Sequence, residues 1–217
     1  MERERSEYNR AQRDKTAIVT PERTYDLRVT LLSSRLEEVA QEWTPEHIGL
    51  LDLDGTDWQV EHVLCDEEAD PWSGHASYET IAAPALLHAE QIPAHWTLEF
   101  DSPVTFRQHG INQPFPLPWL VFGSLLVKWN AFAPLALPED IRRFASECIA
   151  VSRYNMRSQA EPTRQGALQT GSVGRCTYTA TNRDRYWLAC IETLAQFAFF
   201  SGIGATTTRG MGRARLV

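Results

Sequence analysis

Residues 174–217 read GRCTYTATNRDRYWLACIETLAQFAFFSGIGATTTRGMGRARLV. The leading GRCTYTATN is rich in Thr and Tyr and predicts a strand. RYWLACIETLAQFAFF (185–200) has helical spacing of its apolar residues, Gly202 stops that helix, and RGMGRARLV (209–217) closes as a last strand. Upstream, CIAVSRYNMR (148–157) reads as another strand, joined to the first by a polar loop containing Pro162 and Gly166. Before it, TLEFDSP (97–103) predicts a strand and PWLVFGSLLVKWNAFAP (118–134) a helix apolar on nearly all sides, hence heavily buried. Pro138-Glu139-Asp140 starts an additional helix with acidic residues in its first turn, where the macrodipole favours them. The order β, α with an extra helix, β, β, α, β is that of the split βαβ, ferredoxin-like pattern, so the fold class is α+β.

The first half is less regular. Residues 1–23 alternate in charge sign without hydrophobic periodicity and predict a flexible, exposed segment. Tyr25, Leu27, Val29 and Leu31 alternate with polar residues, the period of a half-buried strand. Ser33 or Ser34 then caps a short helix with Leu36, Val39 and Trp43 facing inward. IGLLDL (48–53) and WQVEHVL (58–64) flank Asp54-Gly55 as a hairpin, and Ser77 opens a helix to about Glu90. The break at Gln91-Ile92-Pro93-Ala94 marks a boundary between an acidic domain at 24–94 and a second domain at 95–217.

Charge divides the chain at the same place. Residues 1–100 hold 8 Lys/Arg and 21 Asp/Glu, and residues 101–217 hold 13 and 7, so an overall −7 conceals halves of −13 and +6. Screening confines each interaction to roughly 8–10 Å, so the cationic half can neutralise phosphates whatever the total charge. A composition of 43% hydrophobic and 23% charged residues excludes collagen-like, coiled-coil and wholly disordered chains. The charged start is no secretory signal, the longest apolar run (117–127) is too short to span a bilayer, and the four cysteines form no CxxC pair. A cytoplasmic protein without membrane association is expected.

GIGATTTRGMG (202–212) has neither GxGxxG nor GxxxxGK[ST], and it follows a helix and precedes a strand, the reverse of a nucleotide-binding glycine loop. Two readings stand. Gly202, Gly204, Gly210 and Gly212 could let backbone amides approach an anion, with Thr206, Thr207, Thr208, Arg209, Arg213 and Arg215 adding donors. Alternatively, the glycines serve only positive φ and close packing.

TYDLRVTLL (24–32), PWSGHASYE (71–79), LEFDSPVTFRQHG (98–110), PFPLPWLVFGSLLVKWNAFAP (114–134), IAVSRYNMR (149–157), SVGRCTYTA (172–180) and FSGIGATTTRGMGRARLV (200–217), taken in order, resemble a family. It is that of the CRISPR-associated endoribonucleases that cut repeat RNA into guide units, the sixth Cas protein family of the RAMP superfamily. The resemblance implies tandem ferredoxin-like domains, binding of a CRISPR repeat transcript and metal-independent cleavage by 2′-hydroxyl attack, leaving a cyclic phosphate and a 5′-hydroxyl. It also implies a strand, a helix and a strand ahead of residues 24–32, in a region that often supplies a general acid–base histidine. Only about 23 residues, none of them His, precede Tyr25, too few for those elements, so the first domain is expected to be incomplete.

Among the histidines, His47, His62 and His75 lie in the acidic half and read as surface or cap residues, while His88 and His95 have no obvious partner. His109 follows a predicted strand in the cationic half beside Arg107 and is the catalytic candidate. Arg107, Arg153, Arg157, Arg175, Arg209, Arg213 and Arg215, with the glycine-rich turn, are the RNA-binding candidates. No metal-ligand spacing occurs and no cofactor is called for. Trp43, Trp58, Trp72, Trp96, Trp119, Trp129 and Trp187 read as core residues. The alternative to an enzyme is a non-cleaving subunit that retains guide RNA in an effector complex, its acidic half docked on a basic partner; another effector subunit or a protein supplying the absent elements is a further candidate partner. An unsatisfied sheet edge would also suit a homodimer.

Overall fold

The computed structural model describes residues 20, 23–53, 55–87, 92–162 and 167–217; the expectations for 1–19, Asp54, His88, Glu90, Gln91 and Gly166 fall outside them. The first half contributes helices α1 (Ser34–Ala40) and α2 (Pro45–Ile48), an antiparallel hairpin of β1 (Leu50–Leu53) and β2 (Thr56–Gln59), and helix α3 (Tyr78–Leu87). Gly55, at φ +81°, makes the hairpin turn. The strand expected at residues 25–31 does not form. Alternation specifies a strand only where a neighbour accepts its backbone hydrogen bonds, and none of the described strands pairs with it. Tyr25, Leu27 and Val29 are exposed, and Tyr25 instead meets Trp58 edge to face at 5.4 Å. Helix α1 forms where expected, but Leu36 and Val39 face solvent.

The second half contains β3 (His95–Val104), a small hairpin of β4 (Phe106–Gln108) and β5 (Ile111–Gln113), and helices α4 (Pro118–Phe132) and α5 (Ile141–Glu147). A long hairpin of β6 (Ile149–Pro162) and β7 (Leu168–Ala180), helix α6 (Arg185–Ser201) and the short strand β8 (Ala214–Leu216) complete it. All neighbours in the sheet β6-β7-β3-β8 are antiparallel. Numbered within this half, the order is second, third, first, fourth strand, which is the ferredoxin-like order. The hairpin β4–β5 has no counterpart in the sequence reading.

Alternation on β3 turns Trp96, Leu98 and Phe100 into the core, where Cys176 and Tyr178 of β7 join them. Val121, Phe122, Leu125 and Trp129 of α4 and Ile191, Leu194 and Ala198 of α6 close that core from one side. Each large apolar side chain removed from water contributes roughly 1.5–3 kcal/mol. Two aromatic polar groups of the core are paired: the Tyr178 hydroxyl donates to the Pro116 carbonyl at 2.7 Å and Trp96 Nε1 donates to Glu192 at 2.7 Å. Ser77 caps α3 by accepting the Thr80 amide at 3.1 Å. Ile81 and Ala82 of α3 enter the same core, with Tyr78 edge-on to Trp129 at 5.4 Å. No described helix of this half covers the opposite face of the sheet. Among the described residues, no helix is long and apolar enough to cross a membrane.

Candidate nucleic-acid interface

The open face of the sheet bears a charged row. Register places Asn155, Arg175, Glu99 and Arg215 side by side across all four strands. Glu99 accepts from Arg175 Nη2 at 2.7 Å and from Arg215 Nε at 2.9 Å, so one carboxylate lies between two guanidiniums. These two arginines, Arg175 first, hold the Glu99 carboxyl below the usual carboxylate range. Arg153 and Arg157 of β6 stand in the flanking rows, both exposed. Arg213 lies one strand position before β8, and its guanidinium pairs with Asp101.

The acidic half reaches this face through Trp72. The guanidiniums of Arg213 and Arg215 lie 4.7 and 4.6 Å from the Trp72 ring centre, and Phe199 of α6 stacks parallel to that ring at 6.1 Å. Arg28 inserts here as well, 4.6 Å from the Phe199 ring centre, donating to the Trp72 carbonyl at 2.6 Å and the Phe199 carbonyl at 2.7 Å. Burial, and then the charge of Arg213, lower the Arg28 pKa, while Asp70 opposes the shift. Neither Trp72 nor Arg28 carries a signal in the sequence, because the second-half residues they meet lie well over a hundred positions away. The core reading holds for Trp96 and Trp129; Trp72 is half-buried in this stack, and Trp119 is 39% exposed.

The glycine-rich turn is held from within. Gly202, at φ +61°, ends α6, and the Ile203 amide donates to the Gly212 carbonyl at 2.8 Å. Gly204 donates to Ser124 Oγ at 2.9 Å, Ala205 to the Thr105 carbonyl at 2.8 Å, and Gly212 to the Pro103 carbonyl at 2.9 Å. A Cβ on Gly204 would stand 2.3 Å from the Thr105 oxygen, and one on Gly212 only 1.9 Å from that of Ile203. For these glycines the packing reading therefore describes the geometry: their amides are spent on the protein. The outer part differs. Thr206 is left-handed, Thr207–Arg209 forms a 3-10 turn, and Thr208, Arg209 and Gly210 are exposed. Lys128 of α4, absent from the sequence-based candidates, locks the base of the turn by donating to the Ser201 and Gly202 carbonyls at 3.2 and 2.9 Å. Burial lowers its pKa to about 8.

At the end of the sheet the turn borders a groove of about 790 Å³ between β4, α4 and α5. Arg107, Arg142 and Arg143 line it, with Trp119, Gly123 and Gly204. His109 and Gly110 form the tip of the β4–β5 hairpin at φ +49° and +81°, the signs a tight hairpin turn requires, and His109 is exposed. The sequence-predicted arginines thus separate into three places, with Arg153, Arg157, Arg175, Arg213 and Arg215 on or beside the open face and Arg107 at the groove. Arg209 is on the exposed outer turn. Arg142 and Arg143 escape sequence reasoning because only the packing of α5 on α4 brings them to Arg107. Of the remaining histidines, His75 bonds Glu37 at 2.8 Å, while His62 and His95 are exposed.

A ferredoxin-like unit with a cationic open face and a glycine-rich turn before its last strand is thus established, and comparison with known proteins specifies it further. Residues 98–214 match the family model of the CRISPR-associated endoribonuclease Cas6, and the chain belongs to that family. The Cas6 of Mycobacterium tuberculosis is 30% identical over 134 residues, 60% of this chain and 41% of that protein. That of Streptococcus thermophilus is 24% identical over 140 residues, 60% and 54% of the two chains. Among solved structures, a Cas6 product complex matches with 32% identity and a TM-score of 0.67, covering 77% of this chain and 66% of that one. Thermus thermophilus Cas6 matches with 25% identity and a TM-score of 0.66, covering 75% and 66%. The chain spans about half the length of the curated relatives it matches.

Proposed function

We propose that this chain binds CRISPR repeat RNA and cuts it by metal-independent transesterification. The observation that carries this reading is the coincidence of the family match at 98–214 with the arginine-bearing open face built by the same residues. An A-form stem presents phosphates and a major groove too narrow for side chains, so the arginines read it by shape and phosphate position. In the reaction a base takes the proton of a ribose 2′-hydroxyl, and the oxygen attacks the adjacent phosphorus. The bond to the 5′-oxygen breaks, and that oxygen receives a proton from an acid. A 2′,3′-cyclic phosphate and a 5′-hydroxyl result, with guanidiniums offsetting the added charge at phosphorus. His109 is the acid–base group of this reading, carried on a hairpin whose β4 strand also holds Arg107.

Incubation of the purified chain with its cognate repeat in EDTA tests the proposal. Discrete products with cyclic-phosphate ends are expected. His109→Ala should lower the cleavage rate by roughly 100-fold or more while leaving repeat affinity unchanged. A gel shift without products would instead assign the chain to retention of guide RNA, and cleavage undiminished in the variant would remove His109 from the mechanism.

A further inference from the structure

Resting on that reading, we infer that the groove between β4, α4 and α5 is a subsite for an unpaired nucleotide of the RNA, its base on Trp119 and its phosphate on Arg142 and Arg143. The groove's volume of about 790 Å³ lies within the usual range for small-ligand sites. Its lining contains three arginines and no carboxylate. Glu139 and Asp140 hold Arg142 and Arg143 at 2.9 and 3.3 Å from outside the lining, as exposed pairs that contribute little and yield readily to a phosphate.

Two further features suit a nucleotide. Trp119 lines the groove and is 39% exposed although the surrounding helix is largely buried, so an aromatic surface is available for stacking. Gly123 lies inside α4, where glycine costs about 1 kcal/mol relative to alanine. A Cβ there would stand 2.9 Å from an Arg142 guanidinium nitrogen, so the missing side chain is what lets Arg142 lie across the helix. Inside a stem the stacked neighbours cover both faces of each base, so an indole lining a groove selects an unpaired one.

Fluorescence anisotropy of the full chain with two probes tests this: a short unstructured oligoribonucleotide and the cognate repeat. Trp119→Ala and the double variant Arg142→Ala/Arg143→Ala should each weaken oligomer binding roughly 10- to 100-fold. Gly123→Ala, which removes no binding side chain and displaces only Arg142, should weaken it less, with circular dichroism confirming its fold. Polyglutamate should compete no better than salt of equal ionic strength. Oligomer affinity within about twofold of the native value in both variants, with repeat binding intact, would overturn the subsite alone, as would efficient competition by polyglutamate. Native chain that binds neither RNA would overturn the subsite together with the functional reading beneath it.

Discussion

The guanidinium of Arg215 lies 4.6 Å from the centre of the Trp72 ring, joining the last strand to a loop more than 140 positions earlier. Arg213 lies over the same ring, and Phe199 stacks parallel to it. Cation–π contacts contribute about 0.5–2 kcal/mol each, depending on exposure. Trp72→Ala should therefore cost roughly 1–3 kcal/mol, lowering the melting temperature by about 2–4 °C per kcal/mol for a chain of this size. Trp72→Phe should recover part of the loss. An unchanged melting temperature in the alanine variant would show that the acidic half is not held through this ring.

Glu99 gives the open face a pH dependence. Its folded pKa is depressed by Arg175 and Arg215, so the stabilisation is fully present above the ordinary carboxylate value of 4.5 and is lost as pH falls through the lower folded value. Glu99→Gln should be less stable than the native chain at neutral pH, and the gap should close on acidification through that window. Denaturant melts of both proteins across the acid range measure it, and a gap independent of pH would contradict the assignment.

The ferredoxin-like half is legible in the sequence because its periodicities are satisfied locally: α6 alternates by helical spacing against one sheet, and β3 pairs on both sides. Residues 25–31 show the converse, since a strand pattern without a neighbouring strand builds no ladder. The arginines are legible as types but not as places. Glu99 between Arg175 and Arg215 depends on the register of three strands, and Arg107 meets Arg142 and Arg143 only through helix packing. The glycine-rich turn is conspicuous, but whether its amides face inward or outward is undecidable from composition, because both uses require glycine.

That turn supplies a contrast among identical substitutions. Gly204→Ala and Gly212→Ala place a Cβ against backbone oxygens at 2.3 and 1.9 Å, at φ values of +82° and +69°. Backbone must move in both, and losses of several kcal/mol are expected. Gly210→Ala meets nothing within 4 Å and pays only for its φ of +83°, about 1 kcal/mol. Thermal melts of the three variants decide the matter, and equal losses would refute the packing role of Gly204 and Gly212.

Lys128 should make alkaline stability rise. Its pKa is about 8 in the folded chain against an ordinary 10.5, so between these values the unfolded state binds more protons and stability increases with pH. Below about pH 8 the full cost of burying the charge is present. Lys128→Met removes this dependence but also two hydrogen bonds to the end of α6. The native-minus-variant difference in unfolding free energy should therefore grow from about pH 8 to 10.5, cancelling the titration of groups common to both proteins. A flat difference would mean the amine keeps its ordinary pKa.

The arginines of the open face should divide by the partners they already hold. Arg175 and Arg215 share Glu99 and Arg213 holds Asp101, so each must exchange a carboxylate for a phosphate to bind RNA. Arg153 and Arg157 are exposed on β6, and no ion pair to either is found among the described residues. Arg153→Ala/Arg157→Ala should leave the melting temperature within about 1 °C and reduce the slope of log K against log salt for a repeat stem by roughly 1.4–1.8, at about 0.7–0.9 for each phosphate no longer neutralised. Arg213→Ala/Arg215→Ala should lower the melting temperature as well, because it strands Asp101 and removes two of the three guanidiniums over Trp72. Repeat binding whose salt slope is indifferent to the β6 pair would move the RNA off this face of the sheet.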